Sequence, residues 1–539
     1  MKKHDMLSGL QLALMTLFTL SASAQPDKNY LCFTANTDNS TVALSKTEGQ
    51  TEVSLEYSTD DGEEWLAYTI GTAVTLNDAG DKVYFRNVGT AETFSTANDI
   101  YNFFTMTGSI AASGNVMSLV DQSCKTTTIP CDYCFCKLFL DCTALTAAPE
   151  LPATTLAERC YYYMFQDCTA LTTAPELPAT TLEVSCYHSM FNGCSALTTA
   201  PKLPATTLAN ICYGNMFNGC SALTTAPELP ATELKTGCYN NMFNGCSTLT
   251  TAPELPATEL YMNCYNSMFN GCSALTTAPE LPATTLANQC YSNMFNGCEK
   301  LNDIKVAFTV WKPTNATTKW VTSVPTTGTF SCPEGLEQTT GESGIPEGWT
   351  VKNTYDLAIT SETGWASMCV NLPLIVPTGV DVYYASAVEG STITLTQIPA
   401  NTVMAAKTAV IVKGAKGTVS FPISGATATS YPGNLFQGSS VAKPCNAREN
   451  YVLNASKSTD EKVHFSIYTG TTLSGHKAWL PMSAVGGANS IQFRFGDATA
   501  ISTVETEVAE DVIYNLAGQR VGSDYRGLVI KNGKKILKR

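Results

Sequence analysis

Histidine is nearly absent from this chain: four occur in 539 residues. His4 lies in a leader segment, and His188, His464 and His476 stand singly, so imidazole metal centres and proton relays are hard to assemble. Positive charge is scarce as well, with Lys+Arg 32 against Asp+Glu 46 and a net charge of −14. That balance excludes the basic face that nucleic acid or anionic lipid requires. Charged residues make up only 14% of the chain while hydrophobic ones reach 44%, which excludes a disordered polyelectrolyte. Catalytic signatures are missing too: there is no H-E-x-x-H, G-x-S-x-G, P-loop or dinucleotide fingerprint. Paired acids of the glycosidase kind leave no local signature. The reading is nevertheless non-enzymatic, with no cofactor and no metal.

Lys2 and Lys3 precede an apolar run from Leu7 to Leu20 that closes on Ser21-Ala22-Ser23-Ala24, a small-x-small cleavage pattern. Residues 1–24 are expected to be a signal peptide, which places the protein at the cell surface or outside the cell. No later run approaches the about 18 apolar residues of a spanning helix, so the mature chain is expected to have no transmembrane segment.

What the chain has in abundance is cysteine, 21 residues. Most follow a strict period. Cys160, Cys186, Cys212, Cys238, Cys264 and Cys290 are 26 residues apart, and so are Cys142, Cys168, Cys194, Cys220, Cys246, Cys272 and Cys298. Leu145, Leu171, Leu197 and their successors form a third column, and Met164-Phe165 through Met294-Phe295 a fourth. Six copies read approximately L-T-T-A-P-E-L-P-A-T-T-L-A-x-x-C-Y-x-x-M-F-N-G-C, and a degenerate copy with Cys134, Phe139 and Cys142 precedes them. No single unit can bury its own apolar face, so the units must stack. Proline makes the Leu-x-x-Ala-Pro half extended. The Ala-x-x-Cys-Tyr-x-x-Met-Phe half spaces its apolar residues as a short helical segment would. Asn-Gly before the second Cys supplies the turn back. One strand and one helical turn per repeat predict a leucine-rich-repeat solenoid flanked by all-β, sandwich-like modules.

Cysteines in register share one environment in every coil. Two ladders of buried free thiols are the preferred reading, with bridges between neighbouring coils as the alternative. Cys131-Asp-Tyr-Cys134, with Cys136 beside it, invites a zinc or redox reading. A zinc site would need a second pair or a His, and a thioredoxin-type motif would need a βαβ context that is missing. A capping-region bridge or more buried thiols is preferred there.

The remaining chain divides as follows: 25–115 an N-terminal β-module, 116–305 the repeats, 306–351 a closing segment and linker, 352–500 a C-terminal β-sandwich-like module, and 501–539 a β-hairpin tail that could be a sorting signal. Short alternating strands with Asp-Gly and Ala-Gly turns support the N-terminal β-module, and a second strand-rich stretch with no convincing helix supports the C-terminal one.

The repeat columns, together with Val53-Ser-Leu-Glu-Tyr-Ser-Thr-Asp-Asp-Gly62 before them and Ile345-Pro-Glu-Gly-Trp-Thr350 after them, resemble the BspA-like leucine-rich-repeat surface proteins. The tail, with Gly527-Leu-Val-Ile-Lys-Asn-Gly-Lys-Lys-Ile-Leu537, is similar to C-terminal β-segments of proteins exported by the type IX route. The first resemblance implies a secreted or surface-displayed protein and, by analogy with some members, adhesion to host or bacterial surfaces through a protein or glycan. The second implies attachment at the outer membrane.

Comparing the copies with one another locates candidate binding positions. The strand side is nearly uniform and carries a column of acids, Glu150, Glu176, Glu228, Glu254 and Glu280, with Lys202 inserted in the third row. This polyvalent acidic strip is the candidate binding face for a basic partner or bridging Ca²⁺. A solvated face that keeps the protein soluble is the competing reading. A structural spacer, or a glycan-binding accessory with its site in 352–500, is the alternative function.

Overall fold

The computed structural model describes residues 29–426, 428–455 and 463–495, together with strand segments 513–515, 520–521, 527–531 and 534–538. The expected signal peptide lies outside the described residues, as does much of the tail.

The expected leucine-rich-repeat solenoid, with a helical turn in each repeat, is not what forms. The described residues contain no α-helix, only two short 3₁₀ turns at Val116–Leu119 and Met482–Ala484. The chain is nearly all β, in multiple sheets joined by a stack of 26-residue coils built from turns.

The Cys-Tyr-x-x-Met-Phe half explains the miss. Arg159, Tyr163 and Asp167 have φ of 53°, 57° and 58°, and the same columns stay left-handed through Gln289, Asn293 and Gly297. A left-handed residue at every fourth position cannot belong to a right-handed helix. Instead, alternate amides serve different partners. The N–H groups of Cys160, Tyr162 and Met164 donate three residues back, to Ala157, Arg159 and Tyr161. Those of Arg159, Tyr161, Tyr163, Phe165 and Asp167 donate along the stack to the C=O groups of Val184, Cys186, His188, Met190 and Asn192, at 2.7–3.0 Å. The fully buried set is Cys160, Tyr161, Met164, Phe165 and Cys168. Its spacing of one and four also fits a helix face, so apolar periodicity alone could not tell the two apart.

The opposite half is barely strand. After Leu145–Ala147 in the first coil, pairing between coils reduces to single parallel bridges such as Thr173↔Thr199 and Thr199↔Thr225. The prolines on either side of each Glu have no N–H to extend a ladder.

Inside the stack, Tyr161, Tyr187, Tyr213, Tyr239 and Tyr265 lie face to face at 5.8 Å per step. Phe165 to Phe269 form a second column at 5.5–5.7 Å. All 21 cysteines are unbridged, and all but Cys124, Cys131 and Cys445 are buried. The second thiol column is also hydrogen-bonded. Cys168, Cys194, Cys220, Cys246, Cys272 and Cys298 each donate S–H to the carbonyl of a Phe one coil back, at 3.1–3.2 Å.

The N-terminal β-module is continuous with this stack. Leu31–Ala35 lies antiparallel between Lys82–Asn87 and Ile110–Ser113, and Ile110–Ser113 pairs in parallel with Leu145–Ala147 of the first coil. One hydrophobic core runs from Leu31 to Trp349. Trp320 ends both ring columns, 6.4 Å from Tyr291 and 6.0 Å from Phe295.

The C-terminal module centres on a nine-stranded sheet running from Trp365–Met368 at one edge to Gln437–Ser439 at the other. Val410 and Val412 enter one core and Ile411 the other, as alternation along a doubly covered strand requires. In the tail, Gly527–Lys531 pairs antiparallel with Ile513–Asn515 and with Lys534–Lys538.

Candidate interaction face on the glutamate column

Proline holds each Ala-Pro-Glu-Leu-Pro segment extended, so Leu turns inward and the preceding Glu turns out, once per coil. Leu177, Leu203, Leu229, Leu255 and Leu281 are buried accordingly. The glutamates do not share one environment, however. The column is divided by what lies against it.

Glu150 accepts from Asn29 Nδ2 at 2.6 Å. Glu176 and Lys202 are exposed and form no ion pair among the described residues. Glu228 is the rim: its side chain is 63% exposed, with Lys443 Nζ 3.1 Å from its carboxylate. Glu254 and Glu280 are 9% and 5% exposed. Both are covered by loops and a strand end of the C-terminal module.

Glu254 collects the densest set of donors. Lys407 Nζ lies 2.8 Å from Oε2, while Ser439 Oγ and Ser440 Oγ each donate to Oε1 at 2.8 Å, with the Ser440 amide donating there too. Burial opposes ionisation, but Lys407 and the two serines outweigh it and hold the carboxyl at about 2. Glu254 is therefore an acceptor at neutral pH and not a proton donor. Glu280 accepts from the Asn371 amide at 2.6 Å and is bonded to His476 Nε2 at 3.2 Å. Asn371 Nδ2 also donates to the Leu255 carbonyl at 3.0 Å. Buried carboxylates are tolerated only with such complete pairing.

The structure thus separates the six candidate residues. Glu228, Glu254 and Glu280 are brought onto one intramolecular interface, while Glu150, Glu176 and Lys202 are not. Sequence reasoning missed Asn371, Lys407, Ser439, Ser440, Lys443 and His476, which complete that interface. Ser439 and Lys443 lie at strand ends, in Gln437–Ser439 and Lys443–Pro444, and the other four in connections, where Lys407 and His476 have φ of 62° and 57°, a loop geometry with no residue signature of its own.

Elsewhere, no three His, Cys, Asp or Glu residues converge as an intramolecular metal site would require among the described residues. His188 is stacked on Tyr162 at 5.0 Å, and burial with the nearby Arg159 charge pushes its pKa down to about 4. No described helix is long and apolar enough to cross a membrane. No family model, curated protein or solved structure is significantly similar to this chain.

Proposed function

We propose that this is a non-enzymatic binding protein of the cell exterior whose coil stack offers the open rows of the glutamate face, Glu150 to Lys202, to a partner protein. The carrying observation is the docked C-terminal module. Where the face is covered, it is covered by lysines, serine hydroxyls, an asparagine amide and a histidine. The same Ala-Pro-Glu-Leu-Pro segment recurs in open rows, so it supports the same kind of partner: a surface with lysines and hydroxyl or amide donors. The leader and the likeness to BspA-like surface proteins support an exported adhesin, and the tail supports attachment at the outer membrane.

The experiment is capture of matrix proteins and of bacterial surface proteins by the full-length chain. Glu176→Lys should weaken capture roughly tenfold, about 1.4 kcal/mol, through like-charge juxtaposition. Lys202→Glu should strengthen it. Glu228→Lys is a poorer probe, because it also loosens Lys443. Capture unchanged in both informative variants overturns the proposal.

A further inference from the structure

One column of the coil stack changes character at its end. Thr155, Thr181, Thr207, Glu233, Glu259 and Thr285 lie 26 residues apart, polar and exposed in six successive coils. One period further stands Trp311, half-buried. Its ring is held in place. Nε1 donates to the Glu337 carbonyl at 2.8 Å, and the rings of Phe308, Trp320 and Phe330 lie 5.0, 6.0 and 6.3 Å away. Beside Trp311 opens a hollow of about 510 Å³, walled by residues 339–344 where the chain closes the stack. That volume falls in the range of small-ligand sites, roughly 300–1,000 Å³. Midway along the stack, the same column has a counterpart at Thr207 and Glu233, of about 230 Å³ and with no aromatic ring in its lining.

The rest of the larger hollow is lined by hydroxyls, glycine and one acid. Thr317 is committed to the fold, its Oγ1 donating to the Ser343 carbonyl at 2.8 Å. Ser343 is committed too, its Oγ accepting from the Lys319 amide at 3.0 Å. The hydroxyls of Thr314, Thr339 and Thr340 and the carboxylate of Glu342 have no partner among the described residues.

A fixed aromatic ring bordered by uncommitted hydroxyls and a carboxylate is complementary to a pyranose. The C–H groups of a sugar ring make an apolar face that lies on the indole, and its hydroxyls reach the polar border. A ring already held in place loses little conformational freedom on binding. One ring alone does not make the aromatic-lined groove that a proline-rich peptide needs. Glu342, the one charged side chain in the lining, opposes an acidic sugar.

We propose that this hollow binds a neutral pyranose unit of a glycan, stacked on Trp311 and hydrogen-bonded by Thr314, Thr339, Thr340 and Glu342. The site lies coils away from the open glutamate rows and does not depend on their binding a protein.

The probe is the full-length chain applied to immobilised glycans: galactose-ended animal chains, microbial glucan and microbial mannan. Retention on at least one is expected, and which one it is tells the animal source from the microbial. Trp311→Ala should lower retention at least about tenfold. That ring also packs on Trp320, so Thr339→Val with Thr340→Val is the stricter test. The double variant should weaken retention about tenfold and leave the unfolding temperature unchanged. The C6-oxidised, acidic form of the retained sugar should bind about fivefold more weakly, and Glu342→Gln should remove that difference. Glu176→Lys should leave retention as it is. Retention of none of the three glycans, equal retention by the wild type and the threonine double variant, or displacement by a proline-rich peptide overturns the proposal.

Discussion

The segment Ala-Pro-Glu-Leu-Pro-Ala-Thr occurs unchanged at Ala174–Thr180 and at Ala252–Thr258, in two coils with the same backbone role. In the earlier coil Glu176 and Pro178 are exposed; in the later one Glu254 and Pro256 are buried. Pro204 and Pro230 go with the first, Pro282 with the second. Identical local sequence therefore has two environments here, an open surface and a structural dock. Only the chain some 150–190 residues further on, at Lys407 and Ser439–Ser440, decides between them.

The largest effect should come from breaking the covered row. Glu254→Gln leaves Lys407 without its counter-charge and weakens the acceptors for two serines. Removing one partner of a buried pair costs about 3 kcal/mol or more, somewhat less here because Lys407 reaches solvent. Chemical denaturation should show that loss and faster proteolysis of the C-terminal module. The matched Glu176→Gln should change stability by less than about 0.5 kcal/mol. Equal costs would erase the distinction.

Acid should act in the same direction as Glu254→Gln, and reversibly. The Glu254 carboxyl is held at about 2, below its ordinary value of 4.5. A depressed carboxyl contributes its full stabilisation above pH 4.5 and loses it as pH falls toward 2, about 3 kcal/mol at most. Stability measured between pH 5 and 2 should fall more steeply in the wild type than in Glu254→Gln.

A smaller effect should be blind to the division. Gly219 and Gly271 both have positive φ, 77° and 73°, and an added Cβ would meet the preceding glycine of its column only at 3.6 Å. The cost of Gly219→Ala and Gly271→Ala is thus backbone strain alone, roughly 1–2 kcal/mol and equal in the open and covered coils. The smallest change concerns the tyrosine column. Tyr239 has a buried hydroxyl without a hydrogen-bond partner among the described residues. Tyr239→Phe should be neutral or stabilising by up to about 1 kcal/mol. Nothing in the structure explains why Tyr stands there and not Phe.

Much of the β-architecture was legible. The short alternating strands expected of both β-modules form, Lys82–Asn87, Thr392–Ile398 and Ser490–Phe495 among them, because alternation along a half-buried strand writes itself into sequence. The pairing of Thr354–Ile359 with Gly417–Pro422 was not foreseen, since its partners lie far apart in the chain. The repeat period and its inward columns were plain, but the helical turn was wrong. Ser185, Ile211 and Gln289 are left-handed without being glycine, so the residue types hid the period of four that the backbone follows. Of the glutamate column, the outward orientation could be read from proline and leucine spacing. Its division could not, because the partners that bury Glu254 and Glu280 come from loops and a strand end whose approach no local pattern records.

Carbodiimide labelling of the folded full-length chain tests this division most directly, reading each glutamate by peptide mapping. The account predicts that Glu176 is labelled like an ordinary surface acid, Glu228 in part, and Glu254 and Glu280 at least about tenfold less, with protection lost in Glu254→Gln at its neighbour Glu280. Uniform labelling along the column would contradict it.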